Sequence, residues 1–125
     1  MRWSTFAALA VAGAVGAVAR VVLDGWVGAR SRALFPWATF VINVSGSLLL
    51  GLVTGAALYH GLPASPRIWL GTGFCGAYTT FSTFTFEVVG LADGNQPATA
   101  LRYAGASLVL GTAAAALGLA LAGLL

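Results

Sequence analysis

The chain has 125 residues, of which 59% are hydrophobic and 7% are charged, and its formal net charge is +3. So few charges exclude a water-soluble domain, because a soluble surface needs roughly a quarter of charged residues. The arginines lie singly along the chain, and this spacing excludes a basic patch for nucleic acid. The single histidine, His60, falls in a predicted loop and Cys75 is the single cysteine, so no His/Cys metal site or Ser-His arrangement can form and we predict no enzyme.

Four apolar stretches follow one another along the chain. Each reaches about 20 residues, the length that an α-helix needs to cross a bilayer, and they cover residues 4–23, 36–59, 66–91 and 97–123. Because backbone polar groups find no water in lipid, we predict an all-α membrane protein in which residues 1–125 form a single four-helix transmembrane domain. Proline favours the first helical turn, and three prolines (Pro36, Pro66, Pro97) support these boundaries. The connections between the stretches are short, and we place Asp24 and Asp93 in them.

Most intramembrane polar residues fall in one half of this predicted bundle: Arg20, Thr39, Asn43, Ser47, Glu87, Arg102, Tyr103 and Ser107. Polar groups in a membrane are costly and usually face a bundle interior or a water-filled path. One copy therefore offers half of a polar path, and an inverted second copy would supply the other half. We predict an antiparallel, dual-topology homodimer. Parallel association through small-residue faces such as Gly51-x-x-x-Gly55 or Ala12-x-x-x-Gly16 is the alternative.

Two predicted helices carry stripes of polar side chains. Thr39, Asn43 and Ser47 recur every fourth residue on the second helix, and we interpret the two hydroxyls as interhelical hydrogen-bonding groups. Asn43 fits either a packing hydrogen bond or a contact with an ion. On the fourth helix, Tyr103 and Ser107 share a face whose next position is glycine.

Two charged residues, Arg20 and Glu87, lie at similar depth in the predicted bundle. Unpaired charges are costly there, so we expect each to pair with the other or with backbone, and a salt bridge that fixes packing is our first interpretation. Glu87 could alternatively be the proton-binding carboxylate of a transporter.

The third stretch contains a predicted helix break near residues 76–80. Glycines at Gly73 and Gly76 precede the weak helix formers Tyr78-Thr79-Thr80. A break frees backbone carbonyls at mid-membrane, and in an antiparallel dimer carbonyls of both copies could surround a central cation. Phe81 and Phe84 follow at i, i+3 on one face; their positive ring edges can contact an anion, although packing is the commoner role of phenylalanine.

Three segments together resemble the CrcB, or Fluc, family of microbial fluoride channels: "GAVGAVAR" (13–20), "FPWATFVINVSGSLLLG" (35–51) and "GFCGAYTTFSTFTFE" (73–87). The resemblance implies a dual-topology dimer of the cytoplasmic (inner) membrane that exports fluoride passively through two pores. It also implies a structural, untransported sodium held by the backbone carbonyls of Gly76 and Thr79. By the same resemblance the fluoride pathway includes Asn43, Phe81, Phe84, Tyr103 and Ser107, supported by the charged positions Arg20 and Glu87.

The chain departs from the family pattern at Val21, Ala38, Ala77 and Gly111, the last of which leaves the deeper end of the fourth-helix track without a hydroxyl. A proton-coupled antiporter of the small multidrug resistance type is the alternative function. It needs a carboxylate at mid-span, whereas Glu87 lies near the end of its span. A purely structural membrane subunit would not need the helix break.

Overall fold

A computed structural model describes all residues of the chain, 1–125. The protein is entirely helical, which confirms the predicted class. Its elements are α1 (Trp3–Arg30), α2 (Trp37–His60), α3 (Ala64–Arg67), a π-helical segment (Ile68–Cys75), α4 (Gly76–Tyr78), α5 (Ser82–Asp93) and α6 (Pro97–Leu124). Three of these helices, α1, α2 and α6, are long and apolar enough to cross a membrane.

The first helix is longer than the apolar stretch that predicted it. We expected a span ending near residue 23, but α1 continues to Arg30 and places Asp24 inside a helix rather than in a connection. No proline interrupts this part of the chain, and Arg30 closes the last turn by donating to the Trp26 carbonyl (3.1 Å) and lying 4.0 Å from the centre of its ring. Hydropathy indicates which residues can lie in lipid, whereas backbone hydrogen bonding determines where the helix ends.

Two residues that we expected in connections are instead the last residues of helices. The second helix ends at His60, whose Nε2 lies 2.7 Å from the carbonyl oxygen of Ala122, and this contact joins the carboxyl-terminal ends of α2 and α6. Asp93 is likewise the last residue of α5. The final helix begins as predicted, because Pro97 occupies the first turn of α6.

Close packing of α2 on α6 depends on glycines. A Cβ atom on Gly51 would overlap the carbonyl of Ala115, and one on Gly118 would overlap the carbonyl of Leu48. Gly55 likewise faces α6. The Gly51-x-x-x-Gly55 face, which we considered for contacts between copies, is therefore used within one chain.

The second small-residue face is also occupied inside the chain. A Cβ atom on Gly16 would overlap the carbonyl of Phe74, so α1 packs directly on the π-helical segment. Both glycine motifs considered for parallel association are thus unavailable for it.

The predicted break in the third stretch is confirmed, and the chain leaves the helix at residues 79–81. Thr79 has an extended backbone (φ −78°, ψ 161°), and α5 begins at Ser82. The helix before the break starts at Ala64, directly after Pro63, rather than at Pro66. The π-helical segment was not predicted, because its composition resembles that of any apolar helix.

Candidate ion pathway

An open groove of about 400 Å³ runs along one side of the chain between α2, the broken helix and α6. Its lining includes four residues expected in the pathway, and both residues expected at the sodium: Asn43, Phe81, Phe84, Ser107, Gly76 and Thr79. The lining contains no charged side chain. The broken helix thus brings residues from three separate segments to one uncharged surface, which is mostly apolar and carries a few hydroxyl and amide groups.

Asn43 holds the break in place. Its Nδ2 donates to the Thr80 carbonyl (2.8 Å), and its Oδ1 accepts from the Thr80 N–H (2.8 Å). Gly46, one turn later, lets the break approach α2, because a Cβ atom there would overlap the Thr79 methyl group. Of the two roles left open for Asn43, hydrogen bonding to the fold is therefore present, and one N–H of its amide remains for another acceptor.

The break diverts the amides that would normally pair with the carbonyls of Gly76 and Thr79. The N–H of Thr80 donates to Asn43, and the N–H of Thr83 donates to the Thr80 Oγ1 (3.2 Å). Neither amide therefore closes an α-helical bond four residues back. Carbonyl oxygens without amide partners are suitable ligands for a hard cation.

The two intramembrane charges do not pair with each other. The guanidinium of Arg20 donates to the Thr79 carbonyl at 3.5 Å, and Glu87 accepts a hydrogen bond from the Thr39 hydroxyl. Our first interpretation, an Arg20–Glu87 salt bridge, is wrong; its alternative of pairing with backbone describes Arg20. Thr39 forms the interhelical hydrogen bond expected of it. Arg20 therefore contacts a carbonyl that the break frees from its helical amide, in place of the carboxylate of Glu87.

Aromatic rings line one end of the groove and pass into the interior. The Phe81 and Phe84 centroids are 6.1 Å apart, and Phe84 meets Tyr103 edge to face at 5.1 Å. Tyr103 is fully buried and also contacts Phe35, so it supports Phe84 from behind and does not line the groove. Phe81 lines the groove but is 76% exposed.

Most hydroxyls after the break bond to nearby backbone or to one another. Thr79 donates to the Cys75 carbonyl (2.8 Å), Thr85 donates to the carbonyls of Phe81 and Ser82, and Thr80 donates to Thr83. The Cys75 and Phe81 carbonyls also accept the backbone amides of Thr79 and Thr85, so these two hydroxyls share carbonyls that are already paired. The Thr80 hydroxyl, by accepting the Thr83 N–H, satisfies an amide that the break frees. Most hydroxyls of this cluster are therefore hydrogen-bonded within the chain.

Comparison with known proteins identifies the family. A family model described as "CrcB-like protein, Camphor Resistance (CrcB)" matches residues 7–119. The chain belongs to the CrcB family. This confirms the resemblance read from the three sequence segments.

Curated CrcB relatives align over most of both chains. "Fluoride-specific ion channel FluC 1" of Leifsonia xyli subsp. xyli is 53% identical over 117 residues, which are 94% of this chain and 85% of the relative. The protein of the same name from Streptomyces avermitilis is 46% identical over 92% of this chain and 90% of its own. "Fluoride-specific ion channel FluC 2" of Bacillus cereus is 40% identical over 93% of this chain and 95% of its own. Channel relatives and three apolar helices agree on a multi-pass membrane protein.

Sequence reasoning missed two residues of the groove. We interpreted Ser47 as an interhelical hydrogen-bonding group, yet it lines the groove and forms no hydrogen bond within the chain. We named Thr80 as a weak helix former at the break and did not predict that its backbone forms both bonds to Asn43. The spacing of four residues between Thr39, Asn43 and Ser47 could have predicted that Ser47 lines the groove, since it places all three on one helix face.

Proposed function

We propose that this CrcB protein is a fluoride channel that lets fluoride leave the cell passively across the cytoplasmic membrane. The observation that carries the proposal is the groove itself, which combines hydroxyl, amide and aromatic groups with no charged side chain. The relatives are named as fluoride-specific ion channels, and this name suggests the ion. A proton-coupled antiporter is disfavoured because no carboxylate lines this groove, and Glu87 is bonded to Thr39 outside it.

Fluoride is small and strongly hydrated, so a pathway must replace its water with other hydrogen-bond donors. Neutral donors can do this without the fixed positive charge that would hold the anion in place. In our proposal the remaining N–H of Asn43 and the hydroxyl of Ser107 are two of these donors. The Ser107 Oγ is buried and has no partner in the chain, which leaves its proton free for an ion.

Phe81 and Phe84 contribute ring edges in this proposal. The edge of an aromatic ring carries partial positive charge and can contact an anion without a covalently fixed cation. Tyr103 acts indirectly by holding Phe84 edge to face. Arg20 and Glu87 act as supporting charges, because Arg20 contacts the break at Thr79 and Glu87 contacts α2, and neither charged side chain lines the groove.

We also propose that the broken helix completes a fourth span and that two inverted copies associate around the groove. Only 15 of 125 residues are buried, so most of the apolar surface needs lipid or another copy to cover it. The exposed Phe81 ring lies at the edge of an open groove, where a second copy would cover both.

A tag on the carboxyl terminus tests the inverted arrangement. In intact cells, an external protease should remove about half of the tags if copies insert in both directions, as an antiparallel homodimer requires. The matched control is a lysed sample, in which every tag should be cleaved. Complete protection or complete cleavage in intact cells would show one orientation only.

We further propose that the carbonyls of Gly76 and Thr79, which lack their helical amide partners, coordinate a sodium ion at the centre of such a dimer, because hard cations prefer oxygen ligands. The Thr79 carbonyl, which also accepts from Arg20 at 3.5 Å, would then be shared between the arginine and the ion. Bound sodium would hold the two breaks together and would not itself be transported. Purification in a large organic cation instead of sodium should then lower the thermal midpoint of the protein, since a ligand of the folded state stabilises it. An equal thermal midpoint in both solutions would contradict a stabilising sodium ion.

Fluoride tolerance of a bacterium without its own fluoride exporter tests the function in cells. Expression of this chain should restore growth at fluoride concentrations that stop the parent strain, because passive exit lowers the internal fluoride concentration. Tolerance to a toxic organic cation should stay unchanged. Cation tolerance without fluoride tolerance would favour the antiporter instead.

A further inference from the structure

Four serine and threonine hydroxyls lie on α2, and three of them are bonded within the chain. Thr39 donates to Glu87, Ser45 contacts the Ile42 carbonyl (3.1 Å) and the Tyr78 hydroxyl (2.8 Å), and Thr54 donates to the Leu50 carbonyl (2.8 Å). Such bonding is expected, because an unpaired hydroxyl in an apolar medium is costly. Ser47 is the exception, and it faces the groove.

On α6, which also lines the groove, the Ser107 hydroxyl is buried without a partner. The next position on the same face of α6 is Gly111, which offers no side chain. A Cβ atom built on Gly111 would lie 3.8 Å from the Ser47 Oγ. The hydroxyl of Ser47 therefore lies in van der Waals contact with the position that a side chain on residue 111 would occupy.

We propose that Ser47 donates its hydroxyl to the permeating fluoride ion and supplies, from α2, the donor that α6 lacks at Gly111. The proposed donors then include Ser107 on α6 and Ser47 on α2. This inference rests on the proposed fluoride channel and adds a residue to its pathway. It also explains why Ser47 forms no bond within the chain, since a back-bonded hydroxyl would have no proton left for the ion.

Fluoride efflux from liposomes containing purified variants tests this proposal. Ser47→Ala should lower the efflux rate about tenfold, the scale of one lost hydrogen bond to a charged group. Its thermal midpoint should match the wild type, because the Ser47 hydroxyl has no partner to lose. Thr54→Val is the matched control on the same helix, and it should leave efflux unchanged because Thr54 is exposed and bonded to its own backbone.

Relocating the hydroxyl separates donation from packing. Adding Gly111→Ser to Ser47→Ala should restore most of the lost efflux, since space for a Cβ atom exists at Gly111. Adding Gly111→Ala should restore none of it. Wild-type efflux in Ser47→Ala, failure of Gly111→Ser to restore the rate, or equal rescue by Gly111→Ala would each overturn the role of Ser47. A wild-type protein that passes no fluoride would instead overturn the proposed function.

Discussion

Replacing Phe81 with isoleucine is expected to lower fluoride efflux about tenfold, because an aliphatic side chain has no positive edge and a specific aromatic contact contributes about 0.5–1.5 kcal/mol. Phe81 is 76% exposed in the single chain, so few packing contacts are lost with its ring. The variant should therefore fold like the wild type. Efflux from liposomes of known protein content measures the effect.

Phe86 provides the matched control for Phe81. It is also highly exposed, at 80%, but it does not line the groove. Phe86→Ile should leave efflux unchanged if ring edges in the groove matter and exposed apolar surface does not. Equal losses in the two variants would assign the effect to lipid or subunit contacts, and normal efflux in Phe81→Ile would remove the ring-edge mechanism.

Replacing Asn43 with alanine is expected to reduce both stability and efflux. The change leaves the N–H and the carbonyl of Thr80 without their partner, at a cost below the about 1–3 kcal/mol of a fully buried group, because Thr80 is part-buried. It also removes the free N–H that we assign to the ion. Thermal unfolding in detergent should show a lower midpoint, and efflux should fall further than in Phe81→Ile, because the break itself loses its attachment to α2.

Thr54→Val again serves as the control on α2, with an expected wild-type midpoint and wild-type efflux. An Asn43→Ala protein with a normal midpoint would mean that other contacts hold the break. A lower midpoint with normal efflux would keep the structural role of Asn43 and remove it from the pathway.

Much of the architecture can be predicted from the sequence, because few backbone conformations pair all their polar groups within a bilayer. Length and hydropathy predicted the helices, and the glycine-threonine composition after residue 73 predicted the break. The end of α1 could not be predicted from hydropathy, since Asp24 continues a helix whose hydrogen bonds do not depend on lipid. The π-helical segment has no distinct composition and was missed for that reason.

The partners of individual polar groups were harder to predict than the helices. Arg20 and Glu87 lie at similar depth, yet rotation about each helix axis directs one to the Thr79 carbonyl and the other to Thr39. Helical spacing placed Ser47 on the face of Asn43, but it could not show which hydroxyl lacks a partner. Such assignments depend on the neighbouring helix, and a single sequence does not contain that information directly.

The most direct test of the channel is ion release from liposomes that contain the purified protein and are loaded with equal fluoride and chloride. A potassium ionophore lets potassium leave with the anion, so that no membrane potential builds up to stop the release. Electrodes should then record rapid fluoride release that requires the protein, while chloride stays inside. A proton gradient should not be needed. Fluoride release no faster than from protein-free liposomes, or release that requires a proton gradient, would contradict a passive fluoride channel.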